Sequence, residues 1–228
     1  MLLLFDIDGT LLLRASREHA AAIREALATV YGASIDMGLS GPRIPAAGRT
    51  DTAIARDLAA LDGVSAERFD AGLDDFKAAC AAAFALRCPA SLGAHVAPGM
   101  DELLATLAAC EGVHCSLVTG NYEAVARLKL ERAGLGHHFA GGQGGFGSDA
   151  EQRDALPPIA RARAGGYPRE RTIVIGDTPL DIACARADGL RVLAGATGPF
   201  SAGELAAADA VAADSWELAE LLDAQLRA

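Results

Sequence analysis

Several features that would assign a function directly are missing from this 228-residue chain. Its five cysteines form no CxxC pair, which indicates neither a zinc site nor a disulfide framework, and suggests small buried side chains in a reducing compartment. No run of about 18 apolar residues is present, so we expect no membrane-spanning helix and no membrane partner. The apolar N-terminus lacks a basic leader and is interrupted by aspartates, so we expect no signal peptide and a cytoplasmic location.

Positive charge is also scarce, with 20 Lys and Arg residues against 30 Asp and Glu residues and a net charge of −10. This balance argues against non-specific nucleic-acid binding, and any anionic substrate must be captured by locally placed cations. With 51% hydrophobic and 22% charged residues, the composition is that of a globular protein. The length suits one medium domain, or one domain with an insertion, and we expect a monomer or small homo-oligomer.

The most informative stretch lies at the start of the chain, where Leu2–Phe5 lead into two aspartates, Asp6 and Asp8. A short apolar run stopped by polar residues predicts a strand buried on both faces. Asp6 would then lie at the carboxyl end of that strand, where open α/β sheets bind ligands. Residues i and i+2 of an extended chain point the same way, so the two carboxylates would lie close together. A hard divalent cation such as Mg²⁺ would compensate their repulsion.

The rest of the chain shows two patterns. Between residues 14 and 96, apolar residues recur at helical spacing, as at Ile23 and Leu27, and no convincing strand is found. Beyond this block, short apolar strands alternate with helices, which is typical of a doubly wound parallel sheet. The sequence therefore predicts an α/β core formed by residues 1–13 and 97–228, with residues 14–96 as an inserted all-helical domain.

Two details of the helices are also predicted. A single helix should run from about Ala66 to Leu86 and close before Pro89. Capping-box patterns at Ser201–Glu204 and Asp214–Glu217 should open the last two helices.

Three motifs follow apolar strands in order: Asp6–Thr10 (DIDGT), Ser116–Asn121 (SLVTGN) and Val174–Asp181 (VIGDTPLD). They resemble the first, second and fourth motifs of the haloacid dehalogenase superfamily. That resemblance implies a Rossmann-like core with a helical cap inserted after the first strand, and the arrangement looks most like the phosphoglycolate-phosphatase-like group. Read without the resemblance, the first aspartates could also form a solvated turn after a strand.

The resemblance also implies roles for individual residues. Asp6 would be a nucleophile that forms an aspartyl-phosphate, and Asp8 a general acid whose backbone carbonyl is a metal ligand. Asp177, directly after a strand, would bind Mg²⁺ opposite Asp6, although it could also be a simple helix N-cap. Asp181, one helical turn further on, would act outside the metal ligands by orienting a water or a cationic residue.

The second motif offers a phosphate site. Thr119, Gly120 and Asn121 end a strand and open a helix, and the unpaired N–H groups of a helix N-terminus attract phosphate oxygens. The Thr119 hydroxyl would add one donor. An ordinary helix cap is the alternative, because Thr and Asn are good caps.

The lysine of the family's third motif is not obvious in this sequence, and two cations could replace it. Arg153 precedes a helix about where the family places the lysine, and an arginine could bind phosphate bidentately. Lys129 lies ten residues after Thr119, and we expect that it cannot readily reach the N-terminus of its own helix. Arg153 is therefore the preferred candidate, and Lys129 the alternative.

Arg49 opens a helix in the inserted block, where it could bind an anionic part of the substrate or pair with Asp51. Taken together, the motifs favour a Mg²⁺-dependent hydrolase of a small phosphorylated metabolite. A phosphoglucomutase-like phosphotransferase and a catalytically silent binding protein of the same fold are the alternatives.

Overall fold

The computed structural model describes residues 1–34 and 44–227. Six strands form one sheet, in which every pair of neighbours is parallel. They are β1 (Leu2–Phe5), β2 (His114–Thr119), β3 (Gly145–Phe146), β4 (Thr172–Gly176), β5 (Arg191–Gly195) and β6 (Ala210–Ala212). The strand order is β3-β2-β1-β4-β5-β6, so the predicted α/β fold with a parallel sheet is confirmed.

Strand β1 lies in the interior of the sheet, between β2 and β4, and both of its faces are covered. Leu3 and Phe5 belong to one apolar cluster, whereas Leu2 and Leu4 belong to another on the opposite face. This explains the uninterrupted apolar run, which is typical of strands in parallel sheets. The helices that follow the inserted block are α5 (Met100–Ala109), α6 (Glu123–Ala133), α7 (Leu156–Arg163), α8 (Pro179–Ala187) and α9 (Ser215–Leu226).

The order of the strands reverses next to β1. Strands β2 and β3 extend the sheet to one side of β1, and the chain then returns to place β4 on the other side. Open α/β sheets bind ligands at the carboxyl ends of the strands at such a switch point. Asp6 follows β1 and Asp177 follows β4, so the sheet places both aspartates at this position.

Within the described part of residues 14–96, the regular elements are helices joined by turns and loops, and the one β-type pairing is an isolated bridge at Val96. We call this block the helical insertion. Its helices are α1 (Arg17–Tyr31), α2 (Asp51–Leu61), α3 (Ala66–Ala71) and α4 (Leu73–Arg87). The prediction of a single helix over residues 66–86 is therefore wrong, because the helix is interrupted at Gly72. A Cβ at Gly72 would lie 2.8 Å from the Tyr31 ring, so this close approach favours glycine.

The helical insertion has its own apolar core, and it shares that core with helix α6. Tyr122 and Val125, at the start of α6, pack into the same cluster as the aromatic residues of the insertion. Those aromatic residues are Tyr31, Phe69, Phe76 and Phe84. The insertion is therefore packed onto the helix that follows β2.

The C-terminal part differs from the sequence prediction at one point. Ser201 N donates to Glu204 Oε2, which is one half of a capping box, but the Ser201 hydroxyl donates to the same oxygen instead of accepting from Glu204 N, and only turns follow. Asp214 accepts from the backbone N of Trp216 and of Glu217 and opens α9 as predicted. No helix among the described residues is both long and apolar enough to cross a membrane. All five cysteines are free thiols.

Candidate active site

Three predicted site residues lie at the ends of three neighbouring strands. Asp6 follows β1, Thr119 ends β2 and Asp177 follows β4. The backbone N of Asp6 donates to Ile175 O at 2.9 Å, which continues the ladder between β1 and β4. Asp6 is only 4% exposed and Asp177 only 1%, so both carboxyl groups are held in a buried environment.

Arg153 brings a positive charge to this cluster. It begins a short 3₁₀ turn before α7, and its Nη2 lies 3.3 Å from Asp6 Oδ1 and contacts Asp181. Its Nη1 donates to Gly48 O of the helical insertion at 2.8 Å. The same guanidinium therefore touches the carboxylate after β1, the start of α8 and the inserted block.

Asp181 is fully buried and uses both of its carboxylate oxygens within the protein. Its Oδ2 accepts hydrogen bonds from Thr178 N at 3.0 Å and Thr178 Oγ1 at 2.7 Å. The first of these, together with the bond from Asp181 N to Thr178 Oγ1 at 3.2 Å, forms the capping box of α8. Asp181 Oδ1 accepts from Arg153. Asp181 thus holds Arg153 in place next to Asp6.

The carboxylates of Asp6, Asp177 and Asp181 each have an oxygen within 4.8 Å of the others. Burial raises the pKa of Asp6 to about 7, despite the opposing charge of Arg153. Burial, followed by repulsion from Asp6 and Asp181, raises the pKa of Asp177 to about 8. The protein alone therefore does not fully balance this negative charge.

An oxygen-lined cluster of this kind suits a hard divalent cation. Because both oxygens of Asp181 are already bonded, Asp6 and Asp177 are the carboxylates with room for one. Thr10 Oγ1 fixes Asp177 from one side by donating to its Oδ1 at 3.2 Å. A Cβ added at Gly9 or Gly198 would overlap the same carboxylate, so glycine at these positions leaves the space that Asp177 occupies.

Asp8 lies at the wall of the cavity, and its side chain is 23% exposed. Its Oδ2 accepts from Lys129 Nζ at 2.6 Å and from Asn121 Nδ2 at 3.0 Å, whereas its Oδ1 accepts from Ser16 Oγ at 3.3 Å. Burial alone would raise the pKa of Asp8, but the positive charge of Lys129 and the hydrogen bonds from Lys129 and Asn121 outweigh it and hold that pKa below its usual value. Asp8 is therefore a carboxylate in this arrangement.

The expectation that Lys129 cannot reach the start of its helix is wrong. Helix α6 begins at Glu123 and not at Asn121, so Lys129 is less than two turns from its first residue. Long side chains on helices point back toward the N-terminus, and Lys129 Nζ reaches Asn121 Oδ1 at 2.8 Å. The two candidate cations thus serve different carboxylates, because Arg153 contacts Asp6 and Lys129 contacts Asp8.

The loop of the second motif lines the cavity with Thr119, Gly120 and Asn121. The first amides at the start of α6 are not available to a ligand, contrary to expectation. Tyr122 N donates to Asp51 Oδ2 at 2.7 Å, and Glu123 N donates to a serine hydroxyl. Any phosphate contact from this segment would therefore come from the loop itself and not from those two helical N–H groups.

Arg49 also lines the cavity, but its guanidinium is already paired. Its Nη2 lies 2.7 Å from Asp57 and donates to Ala53 O at 3.1 Å. The predicted alternative, an ion pair with Asp51, is not formed. Asp51 accepts from Tyr122 N and lies 3.0 Å from His19 Nε2.

His19 is a polar residue of this site that the sequence reasoning missed. It lies on the buried face of α1 with Ala22, Ile23 and Ala26, and it is 5% exposed. A histidine on an otherwise apolar helix face was the available signal, because a buried polar side chain needs a partner. Its partners here are Lys129 and Asp51.

These residues surround a cavity of about 900 Å³ between the sheet edge and the helical insertion. The sheet side supplies the carboxylates, and the insertion supplies mostly apolar walls. The lining residues contributed by the insertion include Ile23, Arg24, Ile44, Ile54 and Leu58.

The sequence and the fold of this chain are similar to those of known proteins. A family model described as haloacid dehalogenase-like hydrolase matches residues 3–186. Phosphoglycolate phosphatase from Rhodospirillum rubrum is 34% identical over 101 residues, which cover 44% of this chain and 42% of that enzyme. The aligned part is thus less than half of the curated relative.

Two solved structures superpose on almost the whole chain. A hydrolase from Pseudomonas syringae has a TM-score of 0.65 at 23% identity and covers 97% of each chain. A protein titled a predicted phosphoglycolate phosphatase, from Haemophilus somnus, has a TM-score of 0.64 at 20% identity and covers 98% of this chain and 97% of its own. At these identities the superpositions show a common fold. Because the family model spans most of the sequence, this chain belongs to the haloacid dehalogenase-like hydrolases.

Proposed function

We propose that this protein is a Mg²⁺-dependent phosphomonoester hydrolase that acts on a small phosphorylated metabolite through an aspartyl-phosphate on Asp6. One observation carries the proposal: Asp6 lies on the floor of a cavity, with Arg153 Nη2 3.3 Å from its carboxylate and Asp8 on the adjoining wall. A carboxylate nucleophile, a fixed positive charge and a proton-transfer group are the parts that phosphoryl transfer by covalent catalysis needs.

In this proposal Asp6, Arg153 and Asp8 each have a separate role in the reaction. An Asp6 oxygen attacks phosphorus while the bond from phosphorus to the leaving oxygen breaks, and Arg153 offsets the negative charge near the phosphoryl group. Asp8 gives a proton to the leaving oxygen and later takes one from the water that hydrolyses the aspartyl-phosphate. Since Lys129 holds Asp8 as a carboxylate in the free protein, Asp8 must gain a proton when substrate binds.

The proposed metal site uses Asp6, Asp177 and the backbone carbonyl of Asp8. When bound, Mg²⁺ would neutralise the buried carboxylates and the phosphoryl oxygens. Asp181 is assigned the role of holding Arg153, since the pair is in direct contact. Thr119, Gly120 and Asn121 are proposed to bind phosphate through their loop, which lines the cavity.

We further propose that residues 14–96 act as a cap domain over a catalytic core of residues 1–13 and 97–228. The helices of the insertion pack around an apolar cluster distinct from the two clusters of the sheet, which supports this division, and the start of α6 joins them there. The insertion also provides the part of the cavity wall beyond Asp8, where a leaving group would lie. The similarity to a phosphoglycolate phosphatase makes a small anionic phosphomonoester the first substrate to test.

The experiment is a panel of phosphorylated metabolites, assayed for phosphate release with Mg²⁺ and with a chelator. The Asp6→Asn variant removes the nucleophile but keeps its shape, and turnover should fall by about 10³-fold or more. Asp74→Asn is the matched control, because the Asp74 side chain is fully exposed in α4. Near-full activity in Asp6→Asn, or in the chelated enzyme, would refute the proposed mechanism.

The same panel separates the alternatives. A phosphoglucomutase-like phosphotransferase would convert a sugar phosphate into its isomer without net release of phosphate. A catalytically silent binding protein would release no phosphate from any substrate, and Asp6→Asn would change nothing.

A further inference from the structure

Lys129 is one of two lysines in the sequence, and its side chain is completely buried. Three acceptors surround its ammonium group: Asp8 Oδ2 at 2.6 Å, Asn121 Oδ1 at 2.8 Å and His19 Nδ1 at 3.2 Å. An ammonium group has three donors and no acceptor, so these contacts use all of its hydrogen-bonding capacity. Lys129 is therefore fixed in one position and has no donor left for another partner.

The contact with His19 fixes the histidine as well. Because a charged lysine can only donate, His19 Nδ1 must accept, and the imidazole proton must lie on Nε2. Nε2 lies 3.0 Å from Asp51 Oδ2 and can donate to it. The same oxygen of Asp51 accepts from Tyr122 N at 2.7 Å. Both nitrogens of the ring are thus engaged, and its tautomer and orientation are determined by its neighbours.

The side chains of Asp51, His19, Lys129 and Asp8 form a row, in that order, that joins the helical insertion to the rest of the molecule. His19 lies in α1 and Asp51 opens α2, both in the helical insertion, whereas Lys129 lies in α6 and Asp8 follows β1. Asp51 is 2% exposed and His19 5% exposed, so the row is buried along its length until it ends at Asp8. Buried ion pairs are weak evidence for stability, because removing the ions from water offsets much of their attraction. A role in the function of Asp8, at the end of the row that faces the cavity, explains the buried charges better than a contribution to stability.

The bonding at Asp8 indicates what that role is. Oδ2 receives two short hydrogen bonds, from Lys129 and Asn121, whereas Oδ1 receives one long bond from the Ser16 hydroxyl. The bonds to Oδ2 fix the rotation of the carboxylate and leave Oδ1 as the oxygen able to exchange a proton. Proton transfer depends strongly on this geometry, since donor and acceptor must come within hydrogen-bonding distance.

We propose that Lys129 is a positioning residue for Asp8, and that His19 and Asp51 of the helical insertion hold Lys129 in place. The insertion then contributes to the chemical step as well as to the cavity wall. This inference rests on the proposed phosphatase function, in which Asp8 transfers the proton. In this proposal His19 and Asp51 act through Lys129.

A double-mutant cycle tests whether Lys129 acts through Asp8. Lys129→Met keeps much of the side-chain volume and removes the charge, and it should lower kcat/KM for an alkyl phosphate by about 100-fold, within the range of general acid–base catalysis. In an Asp8→Asn background the same change should cost less than about threefold, because the residue it positions is already lost. Losses that multiply in the double variant would overturn the proposal.

The leaving group gives a second readout that a merely structural role would not alter. An aryl phosphate with an acidic phenol needs little protonation, so its kcat/KM should fall much less in Lys129→Met than that of the alkyl phosphate. The matched control is Lys77→Met, since Lys77 Nζ also bridges the insertion and the core, at 3.3 Å from Ser148 O, away from Asp8. Equal losses on both substrates would also overturn the proposal.

The contribution of His19 is tested by a pair of substitutions. His19→Asn keeps an acceptor near the position of Nδ1, whereas His19→Leu removes it. The leucine variant should lose about tenfold in kcat/KM on the alkyl phosphate and the asparagine variant clearly less, as expected for a positioning contact. Identical losses would exclude the contact with Lys129 as the cause.

A crystal structure of His19→Leu supplies a readout that does not depend on activity. Lys129 Nζ should move away from Asp8 Oδ2, and a contact unchanged from 2.6 Å would refute the role of His19. This measurement stands even if the wild-type protein hydrolyses no phosphomonoester, which would refute the proposed function instead. If Lys129→Met does not fold, the His19 variants and this structure still decide the question.

Discussion

Arg153 and Asp6 face each other at the end of strand β1, with 3.3 Å between Nη2 and Oδ1, and both side chains are buried. Burial would lower the pKa of Arg153, but the carboxylates of Asp181 and Asp6 outweigh it and raise that pKa. The guanidinium therefore keeps its charge under all working conditions. A permanent charge held beside the proposed nucleophile suits a reaction in which negative charge builds up on a phosphoryl group.

Replacing Arg153 should slow the chemical step. Arg153→Ala should lower kcat on an aryl phosphate by about 10²–10³-fold, the usual effect of removing one group that stabilises transition-state charge. On this substrate the loss should exceed that of Lys129→Ala, because only Arg153 contacts Asp6. Arg163→Ala is the control, since Arg163 ends α7, the helix that follows Arg153, and pairs with Asp149 at the surface. A larger loss for Lys129→Ala would show that the roles of the two cations are reversed.

Asp8→Asn should distinguish substrates by their leaving groups. An amide cannot give a proton to the leaving oxygen, so kcat/KM for alkyl phosphates should fall by about 10²–10⁴-fold, with a much smaller fall for an aryl phosphate. Steady-state kinetics with a series of leaving groups would measure this difference. A loss independent of the leaving group would point to a structural or metal-ordering role for Asp8.

The stabilisation of the protein by Mg²⁺ should increase with pH. Burial raises the pKa values of Asp6 and Asp177 to about 7 and about 8, from a value of 3.8 in an unperturbed side chain. Above the unperturbed pKa of 3.8 and below the raised values of about 7 and about 8, these carboxyl groups are deprotonated in the unfolded chain but still protonated in the folded protein. The stability of the metal-free protein therefore falls as pH rises through this range. Mg²⁺ binds the deprotonated carboxylates and should offset this loss.

Thermal unfolding with and without Mg²⁺ measures the effect. The increase in Tm on adding Mg²⁺ should be larger at about pH 8.5 than at about pH 6, because fewer protons must then leave the carboxylates. Asp177→Asn should remove most of this increase, and Asp74→Asn should leave it unchanged. An equal increase at both pH values, or one that survives in Asp177→Asn, would place the metal elsewhere.

Arg49 should contribute to the binding of an anionic substrate in competition with Asp57, its partner at 2.7 Å. Arg49→Ala should lower kcat/KM for an anionic phosphomonoester by a factor that corresponds to about 1–3 kcal/mol of lost transition-state stabilisation, the order of a charged hydrogen bond. It should barely change kcat/KM for a small aryl phosphate. Asp57→Ala frees the guanidinium and should act in the opposite direction on the anionic substrate. If both variants leave the two substrates unaffected, Arg49 serves only its ion pair.

The parallel sheet was predictable because its signals are local. Each of the central strands is a short apolar run, and Asp6, Thr119 and Asp177 each stand where such a run stops. The carboxyl ends of parallel strands share one edge of the sheet, so positions far apart in the chain could be brought together without knowledge of any contact.

The details that failed depend on contacts between distant segments. The prediction for Lys129 was wrong because α6 begins later than expected, at Glu123. Its start is set by Asp51 of the insertion, which accepts a hydrogen bond from Tyr122 N. The break at Gly72 is set by the Tyr31 ring, and no local pattern records that approach. The pairing of His19 with Lys129 is likewise tertiary, as the two residues are 110 positions apart.

The beginning of α2 lies against the core backbone. Asp51 N donates to Gly120 O at 2.8 Å, and a Cβ at Gly120 would overlap the carbonyl of Arg49. A Cβ at Gly147 would in turn overlap the carbonyl of Gly120. The helical insertion is consequently not an interchangeable module. A chimera carrying the insertion of another family member should fold only if the start of its second helix fits against the glycines at positions 120 and 147.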